Sequence, residues 1–178
     1  MEDIILYIKK DAIKEEYENY KQECIHDYCN RIHYTKEIKI QKEIQGKPYI
    51  KHNPFYFNVS HSYDYYIIAF FNHPIGIDIE KHRDRNYHYI AKRYYNEEEF
   101  EYINNNGREA FFDLWCMKEA YTKYLGESIF NHLKVSMVKD NQLINKKEQF
   151  YFHKLNIDND YSSYIVSDCQ TTIKEIYF

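Results

Sequence analysis

The seven residues from Tyr65 to Phe71, YYIIAFF, form an apolar run without a charged side chain. A strand with one face in water alternates polar and apolar residues, whereas a strand covered on both faces is apolar throughout. This run therefore predicts a buried strand near the centre of a sheet. The turn residues Asn72, His73 and Pro74 follow, and the chain continues as another strand over Ile75 to Glu80.

The remaining segments predict an α+β fold with mostly antiparallel strands. Helices are expected from Asp11 to about His33, from His88 onward, and from Arg108 to Leu125. Asn96 and Glu99 have the spacing of a helix N-terminal capping box, while Gly107 breaks the helical pattern and Gly126 is placed to end it. The other expected strands are Asp3–Ile8, Glu37–Ile44, Phe55–Val59, Leu133–Val138, Gln149–Leu155, Tyr161–Val166 and Thr172–Tyr177.

The composition is typical of a soluble globular protein, with 44% hydrophobic and 29% charged residues. The net charge of -4 argues against a dedicated nucleic-acid binder. No apolar stretch is long enough to span a membrane, and the early acids Glu2 and Asp3 argue against a signal peptide. We therefore expect a cytoplasmic protein whose four cysteines are reduced thiols.

Two of those cysteines lie in a Cys/His-rich stretch with the residues Cys24, His26, Cys29 and His33. A zinc site there is conceivable, but the stretch has helical character and no CxxC pair closes a loop. The simpler interpretation is a helix with two small apolar thiols and exposed histidines.

Two carboxylates, Asp78 and Glu80, occupy alternate positions of the strand GIDIE over 76–80. Successive side chains of a strand point to opposite faces, so these two project together while Ile77 and Ile79 face the core. Adjacent carboxylates repel each other unless a cation lies between them. Mg²⁺, a hard ion that prefers oxygen ligands, is the natural partner. The alternative is an exposed strand face with two solvated acids.

The predicted helix over 108–125 contains the run WCMKEAYTK, from Trp115 to Lys123. Glu119 and Lys123 are four residues apart and therefore share one helix face. Taken alone, this pattern favours an ordinary surface ion pair, because such pairs are common on exposed helices.

Two shorter motifs contain groups suited to phosphate. The run NVSHS over 58–62 offers the Ser60 hydroxyl, the His61 imidazole and backbone N–H groups at the end of a strand. A polar turn would have the same composition, and no GxSxG elbow supports a serine hydrolase. Gly46, Lys47 and Pro48 form a turn that carries one lysine.

In their order and spacing, these four motifs resemble those of the 4′-phosphopantetheinyl transferases of the surfactin-synthetase-activating (Sfp) type. The resemblance runs from about Asp11 to Gly126. It implies two similar halves related by a pseudo-twofold axis, residues 1–80 and 81–178, with the active site in the cleft between them and no linker. Members of this type usually carry more chain before the GKP turn, so a shortened N-terminal region is expected here.

The family's reaction is the Mg²⁺-dependent transfer of the 4′-phosphopantetheine arm of coenzyme A to a serine of an acyl or peptidyl carrier protein, which releases 3′,5′-ADP. Carried over residue by residue, Asp78, Glu80 and Glu119 would ligate Mg²⁺, or Mn²⁺ in its place. Glu119, Lys118 and Lys123 would be catalytic, and either Glu119 or a water on the metal would take the serine proton. The coenzyme A contacts would be Gly46, Lys47, Pro48, Ser60, His61, Lys14, Lys118 and Lys123. By the same analogy the protein would be a monomer.

Two other functions use the same residues. A Mg²⁺-dependent phosphohydrolase would explain the carboxylates, but neither the GKP turn nor the pair Lys118 and Lys123. A non-catalytic homologue that binds coenzyme A or a carrier would agree with the short N-terminal region. A binding module does not need the full set of charges, which argues against that alternative because the set is intact here: Asp78, Glu80, Glu119 and Lys123.

Overall fold

The computed structural model describes residues 3–42, 46–52, 54–84 and 86–178. These residues form an α+β fold, as the sequence predicts. The helices are α1 Tyr17–Arg31, α2 Tyr87–Tyr94 and α3 Glu97–Leu125, and short 3₁₀ turns cover Lys14–Glu16 and Ile129–Asn131. The strands are β1 Ile4–Lys10, β2 Ile40–Lys42, β3 Pro48–Ile50, β4 Tyr56–Ser62, β5 Tyr65–Phe71, β6 Ile75–Lys81, β7 Val138–Lys139, β8 Gln142–Leu143, β9 Lys146–Lys147, β10 Phe150–Lys154, β11 Tyr161–Ser167 and β12 Ile173–Tyr177.

Two four-stranded sheets make up most of the β structure. The first has the order β12-β1-β5-β4 and the second the order β6-β11-β10-β9, while β2-β3 and β7-β8 are small separate pairs. Only β1 and β12 pair in parallel within this described part of the chain. Strand β6 thus joins the C-terminal strands and β12 joins the N-terminal sheet. The expected division at residue 80 stays a prediction.

Strand β5 is buried along its whole length, which confirms the expectation from its apolar run. Successive side chains of β5 point to opposite faces of the sheet and pack into two different hydrophobic cores. Tyr66, Ile68 and Phe70 pack with the apolar face of α1, whereas Ile67 and its neighbours on the other face pack against Ile77 and Ile165 of the second sheet. The first sheet is therefore covered by α1 on one side and by the second sheet on the other.

The third core lies between α3 and the second sheet, where Phe111, Met117 and Ala120 are fully or almost fully buried. The predicted helix signals are confirmed: Asn96 and Glu99 form a capping box, and Gly126 ends the helix with φ +72°. At Gly107 the backbone leaves the helical conformation, with φ +79° and ψ -157°, so α3 consists of two helical parts joined at a kink.

Several predicted boundaries were wrong, and the strand predicted over Phe55–Val59 continues to Ser62. Helix α1 begins at Tyr17 and not near Asp11, because Asp11 has φ +56° and the Ala12 N–H bonds to the Asp64 carbonyl instead of starting a helix. Of the strand expected over 133–138, only Val138 is in a strand. The strand expected over 37–44 covers Ile40–Lys42, and its last two residues lie outside the described residues.

The Cys/His-rich stretch of α1 agrees with the simpler interpretation. The Cys24 and Cys29 side chains are buried in the core beside the first sheet, while His26 is exposed. Within the described ranges, no helix combines the length and the apolar character needed to cross a membrane.

Candidate active site

The two sheets meet along a seam between β4 and β6, which are joined by side chains and not by backbone pairing. Polar side chains at alternate positions of β4 accept hydrogen bonds from backbone N–H groups of β6, in place of the carbonyl groups of a paired strand. The three bonds run from the Ile77 N–H to Asn58 (2.9 Å), from the Ile79 N–H to Ser60 (3.3 Å) and from the Lys81 N–H to Ser62 (3.1 Å). This arrangement aligns the NVSHS motif with the GIDIE motif.

Asp78 and Lys123 meet at this seam, as members of a buried polar cluster with Ser60. The Lys123 ammonium donates to Asp78 Oδ1 (2.7 Å) and to Ser60 Oγ (3.0 Å), and Ser60 Oγ donates to the same carboxylate oxygen (2.8 Å). Asp78 is 5% exposed. Its second oxygen, Oδ2, is buried and has no hydrogen-bond partner among the described residues. A buried carboxylate oxygen without a partner is costly, which marks this position as one that a cation would stabilise.

Glu80 and Glu119 lie beside Asp78, one on the strand and one on α3. Glu80 accepts hydrogen bonds from Ser62 (3.2 Å) and Arg83 (3.3 Å). Burial raises the pKa of Glu119 to about 7, the negative charges of Asp78 and Glu80 add to the rise, and Lys123 opposes it. The carboxylates of Asp78 and Glu80 are therefore near enough to interact electrostatically with that of Glu119. Carboxylate oxygens are the ligand type that Mg²⁺ prefers. The residues present therefore offer the ligand type that a hard divalent cation prefers, although the oxygens of these three side chains do not all lie within 4.8 Å of one another.

Basic groups border the carboxylates on the side of β4. Burial, together with the positive charges of Lys123 and Lys14, lowers the pKa of His61. The His61 ring also packs against Tyr17, with 4.9 Å between ring centroids. The ammonium groups of Lys123 and Lys14 thus both act on the His61 imidazole, an arrangement of positive charge suited to an anionic ligand.

The Gly46-Lys47-Pro48 turn is anchored to the C-terminal end of α3. The Lys47 ammonium donates to the carbonyl groups of Lys123 and Tyr124, the latter at 3.2 Å. The last carbonyl groups of a helix have no partner within the helix, and a lysine is a favourable one. Gly46, with φ +87°, is exposed at the start of this turn. The turn is thereby held next to Lys123.

Gly76 explains why α3 lies so close to β6. A Cβ atom at this position would be 2.0 Å from the Ala120 carbonyl oxygen and 2.5 Å from the Tyr124 backbone nitrogen. Only glycine permits this contact between strand and helix. Because Glu119 and Lys123 belong to the same two turns of α3, the close approach brings them to the carboxylates of β6.

The Lys118 side chain lies apart from this cluster. Its ammonium is fully buried, lies 2.8 Å from Glu99 Oε1 and donates to the Val135 carbonyl. It also lies 4.9 Å from the centre of the Tyr95 ring. Glu99 and Val135 lie on α3 and in the chain that follows it, apart from the Asp78 cluster, and the predicted phosphate contact of Lys118 stays a prediction.

Sequence reasoning missed several residues that position the site. Asn58 and Ser62 secure the seam, Arg83 contacts Glu80, and Glu99 is the buried counter-ion of Lys118 in addition to its capping role. A signal for the first two existed, because Asn58, Ser60 and Ser62 repeat at every second strand position and must share a face.

Comparison with known proteins identifies relatives of this chain. The sequence profile of the 4′-phosphopantetheinyl transferase superfamily matches residues 74–171. The 4′-phosphopantetheinyl transferase gsp of Aneurinibacillus migulanus is 30% identical over 61% of this chain and 46% of its own length. The corresponding enzymes psf-1 of Bacillus pumilus and Sfp of Bacillus subtilis are each 36% identical, over 53% and 52% of this chain.

The matched stretches cover 42% of psf-1 and 43% of Sfp, so the chain spans about half the length of the curated relatives it matches. The profile, by contrast, covers more than half of this chain and includes β6, all of α3 and the strands up to β11. Asp78, Glu80, Glu119 and Lys123 all lie within that match. The chain therefore belongs to the 4′-phosphopantetheinyl transferase superfamily.

Proposed function

We propose that this protein transfers the 4′-phosphopantetheine group of coenzyme A to a serine hydroxyl of an apo acyl or peptidyl carrier protein. The serine oxygen forms a bond to the β-phosphorus of coenzyme A, the pyrophosphate bond breaks, and 3′,5′-ADP leaves. The observation that carries the proposal is the partly buried cluster of Asp78, Glu80, Glu119 and Lys123 beside the Lys14 ammonium and the His61 imidazole. Such a site suits a pyrophosphate held with a divalent cation.

Each residue has a role that follows from its position. Asp78, Glu80 and Glu119 would hold Mg²⁺, which would neutralise negative charge on the pyrophosphate when bound. Lys123 has its ammonium at the edge of this cluster and would contact a phosphate oxygen. His61, Ser60, Lys14 and the 46–48 turn would bind the remaining phosphate and the nucleoside end of coenzyme A.

Glu119 is our candidate for the proton acceptor. Burial and the charges of Asp78 and Glu80 raise its pKa to about 7 without a metal ion, and a bound Mg²⁺ would lower that value. A water molecule in the site is the alternative acceptor. Positioning and charge neutralisation account for most of the catalysis of phosphoryl transfer, so the remaining residues act by holding and orienting the substrates.

The architecture supports a further part of the proposal. Each four-stranded sheet packs against one long helix, α1 or α3, and the seam that bears the carboxylates lies between the sheets. We propose that these are two halves related by a pseudo-twofold axis, that the seam lines the active-site cleft, and that the protein works as a cytoplasmic monomer.

The test is intact-protein mass spectrometry of several apo carrier proteins incubated with coenzyme A, Mg²⁺ and this protein. We expect a carrier to gain the mass of one phosphopantetheine group. The Glu119→Gln variant should lose at least about 100-fold in rate, since it removes a charge at the reacting centre. Glu101→Gln, an exposed position on the same helix, is the matched control and should retain the rate.

Other results would favour the alternatives. Release of phosphate from coenzyme A without a carrier would indicate a phosphohydrolase. Binding of coenzyme A in calorimetry, with no mass gain on any carrier, would indicate a non-catalytic binding protein.

A further inference from the structure

A second set of potential metal ligands lies at the other end of β6. The His73 imidazole, the Asp168 carboxylate and the Cys169 thiol each offer a ligand atom, and these atoms all lie within 4.8 Å of one another. His73 Nδ1 lies 3.4 Å from Asp168 Oδ1. Among the described residues, this is the one group of three or more histidine, cysteine or acidic side chains that is so compact.

The sheet itself brings these residues together. Strands β6 and β11 are antiparallel, and their last pair at this end is Ile75 with Ser167. Continuing the same register two residues further sets His73 opposite Cys169. The Ser167 hydroxyl donates to the Cys169 carbonyl (2.8 Å) and so fixes the backbone just after β11. The ligand atoms therefore lie at a defined sheet end and not on two long loops.

Asp168 provides an independent reason to expect a cation. Its Oδ1 atom is buried from solvent and has no hydrogen-bond partner among the described residues. The oxygen lies 3.4 Å from His73 Nδ1, with which it forms an ion pair only when the imidazole is protonated. An unpartnered buried carboxylate oxygen is costly, and a metal ion between the imidazole nitrogen and the thiol sulfur would remove that cost.

We propose that His73, Asp168 and Cys169 form a Zn²⁺ site distinct from the carboxylate cluster of the active site. One nitrogen, one oxygen and one sulfur ligand suit a borderline ion such as Zn²⁺, whereas Mg²⁺ disfavours thiolate and imidazole. Cys169 binds as the thiolate, and its proton is released to solvent. Both Cys169 and His73 are at least partly accessible, so the fourth tetrahedral position is open to water.

The site would connect the start of β6 to the end of β11. Since β6 also carries Asp78 and Glu80, Zn²⁺ would stabilise the strand that supports the active site without contacting it. Binding to the folded state alone raises the free energy of unfolding in proportion to the logarithm of the free metal concentration. The proposal does not depend on the transferase function.

The experiment is a titration of the chelator-treated full chain with Co²⁺, followed by displacement with Zn²⁺. A thiolate ligand produces a charge-transfer band in the near ultraviolet, so the band reports Cys169 directly. We expect one equivalent of Co²⁺ to produce it and Zn²⁺ to abolish it. Cys169→Ser should remove the band, and both His73→Ala and Asp168→Asn should weaken binding by about tenfold or more, the scale on which metal sites respond to lost partners.

Two variants serve as matched controls. His26→Ala removes an equally exposed histidine from the Cys/His-rich stretch of α1, and Glu119→Gln removes a carboxylate from the active site. Both should retain the band. Circular dichroism of each variant without metal verifies that it is folded. Absence of the band in the parent protein, or its persistence in Cys169→Ser, would overturn the proposal. Loss of the band in His26→Ala would assign the metal to α1 instead.

Discussion

Gly76→Ala should be the most informative single substitution, because it alters the distance between the strand and the helix that form the active site. The added Cβ would lie 2.0 Å from the Ala120 carbonyl oxygen, whereas ordinary contact begins at 3.4 Å. The Cβ position is fixed by the backbone of β6 and the oxygen belongs to the backbone of α3, so no side-chain rotation can relieve the clash. Strand β6 and helix α3 must separate by roughly the difference between those two distances, about 1.4 Å.

Two consequences of this separation can be measured. Overpacking of this kind usually destabilises by about 1–3 kcal/mol, and a rigid backbone contact belongs at the upper end of that range. The separation would also lengthen the 2.7 Å contact between Lys123 and Asp78. A misplacement of about 1 Å at a reacting centre can reduce the rate about 100-fold. Urea unfolding followed by circular dichroism gives the first quantity, and the carrier mass assay gives the second.

Gly107→Ala is the control that separates the effect of contact from that of backbone conformation. A Cβ at Gly107 meets nothing within 4 Å, but the φ of +79° disfavours any other residue. This variant should lose stability through backbone strain and keep the rate per folded molecule. If Gly76→Ala unfolds within about 0.5 kcal/mol of the parent protein, the size of an ordinary surface substitution, or transfers at the parent rate, the close-contact reasoning is refuted.

Two further predictions concern buried ionisable groups. Lys118→Met should destabilise the fold by about 3–5 kcal/mol in urea unfolding, because it leaves the Glu99 carboxylate buried without its counter-ion. Adding Glu99→Gln to this variant should recover part of the lost stability. No recovery in the double variant would contradict the buried-pair explanation. Burial lowers the pKa of His153 in the folded protein below the value of 6.5 that it has in the unfolded chain. When the pH falls below 6.5, the unfolded chain therefore binds a proton more readily than the folded protein does. The free energy of unfolding should therefore decrease as the pH falls below 6.5, and His153→Gln should make that decrease smaller; an unchanged pH profile would show that His153 does not contribute.

The parts of the fold that sequence could predict are those governed by local patterns. The apolar run of β5, the capping box at Asn96 and the helix end at Gly126 depend on neighbouring residues, and all three were confirmed. The start of α1 was predicted too early, since the left-handed conformation of Asp11 depends on a bond between Ala12 and Asp64, which lies far away in the sequence. Contacts of that kind leave no periodic signal.

In the candidate site, too, local pattern predicted some positions, whereas others depend on contacts between distant residues. Alternation along β6 correctly placed Asp78 and Glu80 on one face, because side-chain direction in a strand follows from the backbone. Lys118 could not be assigned in this way. Because Lys118 is next to Glu119 in the sequence, the prediction placed both side chains at the active site. Adjacent side chains of a helix, however, point in directions about 100° apart. Only the fold shows that this rotation turns Lys118 toward Glu99 and leaves Glu119 facing the strand.

The seam between β4 and β6 explains why this site combines burial with unbalanced charge. If the two strands were paired through backbone, their ladder would leave no space for the Ser60 hydroxyl to bond with Asp78 and Lys123. Side-chain bridging keeps the strands adjacent and fills the space between them with polar atoms. Asp78, Glu80 and Glu119 then have only the Lys123 ammonium to balance their charges at a site that is partly shielded from water. The pKa of Glu119 rises to about 7 for this reason. The need for a cation thus arises from the way the two sheets are joined. A change in Asn58, which contacts none of the three carboxylates in the described hydrogen bonds, should therefore alter cation affinity through the seam.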